Sequence, residues 1–387
     1  MRQLNHSTFH TVRKIRKFRG KPMLGNIRIC RRRLGPIVNR HFYSQDTPAP
    51  TKASFLGLYD QITNEFRGGN LENCVSLSEQ AIQVAKESDE VSWKDVAAVQ
   101  LNLSHILKLL NRLDDSILVA KRALSTLDSH FSSCKPEVCH ALDVVAELCA
   151  ESDDFEEALK LTDRAMELKS RLYGAHCVQL AKSYNIRGAV FHKQNRLQAS
   201  RSEFVRALGV HIRAHGSTRP FAVPIGITLS NIAGLLRQDP ANNKDCMTLY
   251  RVVVEAFGHA NTNGNDMWME GNALCDLAET LQASATQSHI EEARECLTRA
   301  LHIFLSTRGI DHPSTARATF LLQSLGSVVP NTTPVEPDNP SQIIESLITE
   351  ATSVVPAKSS DIKVSGDVLF LDRRGHVGHG HPHTPLF

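Results

Sequence analysis

The chain has 387 residues, of which 41% are hydrophobic, 22% are charged and only 6% are aromatic. This length suits two or three ordinary domains or one long repeat array, and the hydrophobic content allows a large buried core. So few aromatic residues are unusual for a β-sandwich and are normal for helices that pack through Ala and Leu. No apolar run approaches the length needed to span a bilayer, so the sequence predicts no transmembrane segment.

The first 45 residues differ in charge from the rest of the chain. They contain 12 of the 44 Lys and Arg residues and no Asp or Glu, which leaves 32 basic and 41 acidic residues in the body. An Arg-rich segment without acids and with interleaved apolar residues is typical of a mitochondrial transit peptide. We therefore predict a transit peptide over 1–45, cut between His41 and Ser44, and a location in the matrix or at the inner membrane. The alternatives are a basic tail that stays attached and a basic arm that binds nucleic acid.

A repeat of 42 residues follows this head. Six segments carry a triplet at the helical spacing i, i+4, i+7, with small residues at nearly all outer positions. The last members of successive triplets are 42, 42, 42, 46 and 47 residues apart. Another helix-periodic run and a polar turn precede each triplet, so we predict stacked helix–turn–helix units. The triplets are Cys74/Ser78/Ala81, Ser116/Ala120/Ala123, Ala158/Thr162/Ala165, Ser200/Phe204/Ala207, Cys246/Tyr250/Val253 and Ala293/Leu297/Ala300.

These units resemble tetratricopeptide repeats, whose standard length is about 34 residues, and in particular the longer repeats of kinesin light chains. The likeness is close in NLSHILKLLNRLDDSILVAKRAL (102–124), and RGIDHPSTA (308–316) resembles the linker between repeats of that family. In that linker Asp311 or His312 is expected to cap the next helix, with Pro313 in its first turn; a catalytic Asp–His pair is the less favoured interpretation. The resemblance implies an all-α, right-handed α-solenoid of about six helix pairs over residues 54–326.

The resemblance also implies a concave face lined by the first helix of each pair. The alignment places basic, acidic and amide side chains there, which suits an extended peptide held through its backbone and its charges. A protein or extended peptide is therefore the expected partner, and nucleic acid is not. The candidate partner-binding residues are His105, Lys108, Asp143, Glu147, Asn185, His192, Lys193, Asn231 and Arg237.

The sequence carries no P-loop, no GxGxxG or GxSxG motif and no HExxH zinc motif. We therefore predict no catalytic site, no cofactor, no metal site and no small-molecule substrate. The nine cysteines form no CxxC pair, and we expect them to be buried free thiols in a reducing compartment. The predicted function is a non-enzymatic interaction scaffold in mitochondria, serving the assembly or maintenance of a respiratory complex, as in the mitochondrial repeat proteins that this layout resembles. The alternatives are a cytosolic cargo or motor adaptor and a nucleic-acid-binding protein that uses the basic head.

The C-terminal part of the chain is expected to form a separate module. It contains a Pro-rich linker at 327–340, an amphipathic helix at 341–356 and a flexible His-rich tail at 357–387. We expect the helix to pack on the open end of the last repeat, or else to occupy the concave groove as a ligand within the same chain.

Overall fold

The structure is a computed structural model that describes residues 51–130, 135–218, 221–260, 267–284, 286–310, 312–326, 340–355, 368–371 and 377–380. The predicted transit peptide, almost all of the Pro-rich linker, and Asp311 lie outside these residues. The described part contains fourteen α-helices. They are α1 (Lys52–Arg67), α2 (Leu71–Glu87), α3 (Trp93–Leu109), α4 (Leu113–His130), α5 (Pro136–Glu151), α6 (Phe155–Tyr173), α7 (Leu180–Lys193), α8 (Leu197–His215), α9 (Val223–Leu236), α10 (Asn243–Ala260), α11 (Met267–Ser284), α12 (Gln287–Thr307), α13 (Pro313–Leu325) and α14 (Pro340–Val354).

The first twelve helices pack as six consecutive pairs, α1 with α2 through α11 with α12, and each pair also packs against the next. Helix α13 then packs against both helices of the sixth pair. Each pair leaves apolar surface that only its neighbours cover, so the core runs along the whole array. The prediction of an all-α solenoid of about six helix pairs is confirmed.

The repeated triplets lie at the contact between the two helices of each pair. All eighteen of their side chains are at most 2% exposed, so nothing larger than the observed residue fits without displacing a helix. Where the first member is Ser, its hydroxyl also forms a hydrogen bond that the sequence did not predict. The hydroxyl of Ser116 donates to the carbonyl of Ser104 (2.6 Å), and that of Ser200 donates to the carbonyl of Gly188 (2.8 Å).

The turns inside the first four pairs share one backbone conformation. Asn111, Asp153 and Asn195 have φ angles of 60°, 63° and 59°, and Gly69 has a φ of 78°. Asn, Asp and Gly tolerate this left-handed region best. Gly69 follows the same 42-residue spacing, so the Gly68–Gly69 pair is the regular turn of the first repeat.

The turn before α13 shows how the segment RGIDHPSTA (308–316) begins the next helix. The Nδ1 atom of His312 accepts a hydrogen bond from the backbone N–H of Ser314 (3.1 Å), and Pro313 is the first residue of the helix. The predicted capping role of this linker is therefore confirmed for His312.

Helix α14 does not lie where it was expected. It packs against α8 and, over a smaller area, against α10, which are second helices of the fourth and fifth pairs. Ile344, Leu347 and Ala351 are buried there, and Glu350 forms an ion pair with Arg201 of α8. The expectation that α14 covers the end of the last repeat was wrong, because α13 already packs there; the alternative of a ligand in the concave groove was wrong as well.

Two short strands lie within the segment predicted as a His-rich tail. Strand β1 (Val368–Leu371) pairs antiparallel with β2 (Val377–Gly380), with Val368 opposite Gly380 and Leu371 opposite Val377. No strand was predicted there, and the flexibility of the tail stays a prediction.

Candidate functional site

The odd-numbered helices form the inner face of the array. Helix α5 packs against both α3 and α7, α7 packs against α9, and α11 packs against α13. Within the described residues, the even-numbered helices α2 to α12 make no comparably close contacts with one another. Curvature that brings the odd-numbered helices together makes their shared surface the concave one, as the sequence analysis predicted.

Polar side chains link the consecutive odd-numbered helices of this face, and we call these links the inner ladder. Lys108 of α3 forms ion pairs with Glu147 (3.2 Å) and Glu151 (2.5 Å) of α5. Lys182 of α7 adds a third, with Glu147 (3.5 Å). Basic and acidic groups that the alignment places on this face are therefore paired with each other between repeats.

Glu147 is the centre of this group. Burial raises the pKa of its carboxyl group, but Lys182 and Lys108 outweigh burial and lower the pKa to about 2. The pKa of Lys108 is raised, since Glu147 and Glu151 overcome the opposing effect of burial. Both groups therefore stay charged at physiological pH.

His105 lies half-buried beside this group. Burial and, to a smaller extent, the nearby charge of Lys108 lower the pKa of its imidazole to about 4, although Glu147 opposes this. His105 is therefore neutral near pH 7 and offers a donor and an acceptor rather than a charge.

Asp143 requires a correction, because it does not present its charge to the concave surface. Its carboxylate is buried and accepts hydrogen bonds from Lys169 of α6 (2.5 Å) and from Ser183 of α7 (2.8 Å). The repeat alignment placed Asp143 on the correct helix, but α6 and α7 cover the side that carries it.

The candidates on α7 also bind the neighbouring repeats. The amide of Asn185 donates to the hydroxyl of Thr228 on α9 (3.1 Å), and His192 contacts the side chain of Gln238. Lys193 donates to the carbonyl of Ala150 (2.8 Å) and to Asp153 (2.9 Å). These contacts join α7 to the repeats before and after it.

The last two candidates lie at the fifth repeat. Asn231 is half-buried on α9, and Arg237 at the end of α9 forms an ion pair with Glu279 of α11 (2.8 Å). Arg317 of α13 binds Asp276 (2.6 Å) and the same Glu279 (2.8 Å). The ladder therefore continues to α13, the last odd-numbered helix.

Sequence reasoning missed Lys182, Asp276, Glu279 and Arg317. A detectable signal existed, because members of these pairs lie about one repeat apart: Arg237 and Glu279 are 42 residues apart, and Asp276 and Arg317 are 41. A search for polar partners separated by one repeat length would have found Asp276, Glu279 and Arg317, but not Lys182, which is 35 residues from its partner Glu147.

The described residues contain no group of three or more His, Cys, Asp or Glu side chains placed to hold a metal ion. No helix among them is long and apolar enough to cross a membrane. Seven cysteines are described, and all are free thiols, six of them buried. Burial raises the pKa of Cys74 to about 11 and that of Cys275 to about 12, so both thiols stay protonated. The prediction of buried free thiols is confirmed for these six.

Comparison with known families identifies the central repeats. Residues 137–213, from α5 to α8, match the family described as tetratricopeptide repeat. No curated protein matches the sequence significantly. These two helix pairs are therefore tetratricopeptide repeats, and the flanking pairs repeat their architecture.

Several solved structures are similar to parts of this chain. BtubC (BKLC) from P. vanneervenii is 13% identical, with 74% of this chain and 87% of that chain covered and a TM-score of 0.35. A putative kinesin light chain from Podosopora anserina is 12% identical, with coverage of 56% and 98% and a TM-score of 0.38. The apo form of RapI is 12% identical, with coverage of 71% and 97% and a TM-score of 0.45. Because these TM-scores lie below 0.5, no statement about function follows from them.

Proposed function

We propose that this chain, whose central repeats are tetratricopeptide repeats, is a non-enzymatic scaffold that binds a protein or extended peptide on its inner face inside mitochondria. The observation that carries this proposal is the inner ladder. It places polar links along the odd-numbered helices from α3 to α13, with Lys182, Glu147 and Arg237 as partly exposed charged groups. A surface of this kind can bind an extended partner through hydrogen bonds to its backbone and through ion pairs with its side chains.

The mitochondrial part of the proposal is supported by the basic, acid-free residues 1–45. The proposed role inside the organelle is the assembly or maintenance of a respiratory complex, by analogy with mitochondrial repeat proteins of this layout. The basic head is what the nucleic-acid alternative requires, since the net −9 body repels phosphates.

The location of the protein in the cell tests the mitochondrial part of the proposal. The full chain and a version that lacks residues 1–45 are expressed with a C-terminal fluorescent protein, and the N-terminus of the mature protein is sequenced. We expect the full chain to enter mitochondria with cleavage between His41 and Ser44, and the truncated chain to stay outside. An intact basic head on a cytosolic protein would instead favour the adaptor or the nucleic-acid alternative.

Matched lysine substitutions test the binding face. Lys182→Ala removes a charge from the inner ladder, whereas Lys160→Ala removes an exposed charge from the even-numbered helix α6. Proximity labelling with the full chain should lose its main partners in the first variant and keep them in the second, with both variants equally folded by circular dichroism. Equal labelling by the two variants would contradict binding at this face.

A further inference from the structure

The two ends of the repeat array approach each other at Arg308. This residue directly follows α12, and its backbone N–H and that of Gly309 both donate to the carbonyl of Phe304 (2.8 and 3.1 Å). Gly309 has a φ of 84°, which turns the chain sharply. The Arg308 carbonyl oxygen then lies 4.0 Å from the position of a Cβ atom built on Gly69, in the turn of the first repeat.

The Arg308 guanidinium faces one aromatic ring from each end of the array. Its Cζ atom lies 5.9 Å from the ring centroid of Phe66, at the end of α1, and 5.3 Å from that of Trp268, at the start of α11. Both distances are within the range of a cation–π interaction, which is about 6 Å. Arg308 thus bridges the first and sixth repeats through contacts with both rings.

Arg308 differs from the cations of the inner ladder in having no carboxylate partner within the described residues. Lys108, Lys182 and Arg237 are each paired with glutamates of a neighbouring repeat. Burial lowers the pKa of Arg308. Within the part of the chain that the structure describes, this partly buried cation has no counter-charge that would offset its desolvation.

The two histidines near Arg308 in the described part of the chain, His105 and His312, are neutral near pH 7. The pKa of His105 is lowered to about 4 by burial and by Lys108, and the Arg308 charge lowers it as well. The pKa of His312 is lowered by burial and by Arg308. The positive charge is therefore concentrated on a planar guanidinium between two aromatic faces.

We propose that Phe66, Trp268 and Arg308 form a composite anion site that binds a side-chain carboxylate of an acidic peptide segment and exists only while the two ends of the array meet. The guanidinium presents a planar fork of donors that matches a carboxylate, and the two rings exclude water, which strengthens the ion pair. The site rests on the proposed inner-face function and adds to it a coupling: the bound carboxylate holds the first and last repeats together.

The fluorescence of Trp268 can report binding at this site, because the chain has only one other tryptophan, Trp93, which can be replaced. In a Trp93→Phe background, the full chain is titrated with a capped and amidated Ala–Ser peptide that carries four consecutive Glu residues. We expect its binding to change the Trp268 emission and to weaken about tenfold or more in Arg308→Gln. Arg308→Lys keeps the positive charge but loses the planar set of donors, so its affinity for the peptide should lie between that of the parent protein and that of Arg308→Gln. The control Arg171→Gln removes an exposed arginine that is paired with Glu167 and should bind like the parent protein.

Two further probes distinguish a side-chain carboxylate from a C-terminal carboxylate and from phosphate. The same peptide with Gln in place of Glu but with a free C-terminal carboxylate should not bind, and neither should inorganic phosphate. Binding of either probe with the affinity of the Glu peptide would overturn the assignment to a side-chain carboxylate.

Phe66→Leu tests whether the site is composite. Phe66 is far from Arg308 in sequence, so this variant should weaken the Glu peptide only if the two ends meet. Small-angle scattering should show a larger radius of gyration for Arg308→Ala than for the parent, with unchanged helix content by circular dichroism.

Failure of this site can be told apart from failure of the proposed function. If Arg308→Gln and Phe66→Leu bind the Glu peptide normally, the composite site is overturned, whereas the loss of partners in Lys182→Ala still supports the inner face. No binding of the Glu peptide to the parent protein would likewise overturn the carboxylate site alone.

Discussion

The ammonium group of Lys169 and the carboxylate of Asp143 lie 2.5 Å apart, with each side chain only 4% exposed. The hydroxyl of Ser183 completes the arrangement, since it accepts from Lys169 and donates to Asp143, both at 2.8 Å. The three residues belong to α6, α5 and α7, so this buried network joins the third repeat to the fourth.

Removal of one member of this network should be costly. We expect Asp143→Ala to lower the free energy of unfolding by about 3–5 kcal/mol, because it leaves the Lys169 charge buried without a partner. The double variant Asp143→Leu/Lys169→Met should recover most of this loss, since it removes both charges. Urea unfolding followed by circular dichroism measures the difference. The control Asp128→Ala breaks a partly exposed pair with Arg164 and should cost about 1 kcal/mol or less; an equal cost for the two single variants would contradict the prediction.

His140 should make stability depend on pH. Burial and, to a smaller extent, the charge of Lys182 lower the pKa of its imidazole to about 4, although Asp143 opposes this. The unfolded chain, with a pKa of about 6.5, therefore takes up the proton first as the pH falls. The contribution of the neutral imidazole is complete above about pH 6.5 and is lost as the pH falls towards about 4.

NMR titration of His140 measures this pKa directly, and unfolding between pH 7 and pH 4 measures the linked loss of stability. The variant His140→Asn should flatten that part of the stability profile. An NMR pKa near the unfolded value would show that the imidazole is not desolvated.

The turn of the first repeat offers a matched pair of glycine substitutions. Gly69 has a φ of 78°, a conformation that costs residues with a Cβ about 1 kcal/mol or more. Gly57 lies within α1 with open space around its Cα, so Gly57→Ala should stabilise the protein by about 0.5–1 kcal/mol. Gly69→Ala should therefore lower the thermal midpoint and Gly57→Ala should raise it. A gain in stability for both variants would mean that the first turn does not need a left-handed residue.

Gly209 should control the docking of α14. A Cβ atom there would lie 2.5 Å from the Cγ2 atom of Val355 and 2.6 Å from the carbonyl oxygen of Ala351, so α14 would have to move. Gly209→Ala should therefore speed amide hydrogen exchange in α14. Gly234→Ala on α9, where the nearest atom is 3.7 Å away, is the control and should not change that exchange. Unchanged exchange in Gly209→Ala would show that α14 tolerates the extra methyl group.

The helix pairs were predictable because their determinants are local and repeated. A side chain at the contact between two paired helices has little space, so small residues recur there every 42 residues, as at Ala81 and Ala123. The turns follow the same period, because a left-handed residue such as Asn111 is needed at one fixed position. The hydrogen bond from Ser116 to Ser104 also repeats, which explains why Ser or Cys often takes the first small position.

The candidate site was only partly predictable. The repeat alignment assigned Lys108 and Glu147 to the correct helices, but an alignment does not state which charges meet across repeats. Asp143 was misplaced on the surface because its burial depends on Lys169, a residue of another helix. The contacts of Arg308 were not predicted, because its aromatic neighbours come from both ends of the array.

The sequence by itself determined the helix pairs, their turns and the buried contact inside each pair, since these depend on neighbours within one 42-residue unit. Only the tertiary structure decided the pairing of the inner ladder, the position of α14 on α8 and the meeting of Arg308 with Phe66. An amphipathic pattern shows that α14 has an apolar face but not which surface covers it. The curvature of the stacked pairs brings distant residues together, and that curvature is a sum of packing over the whole array rather than a property of any one repeat.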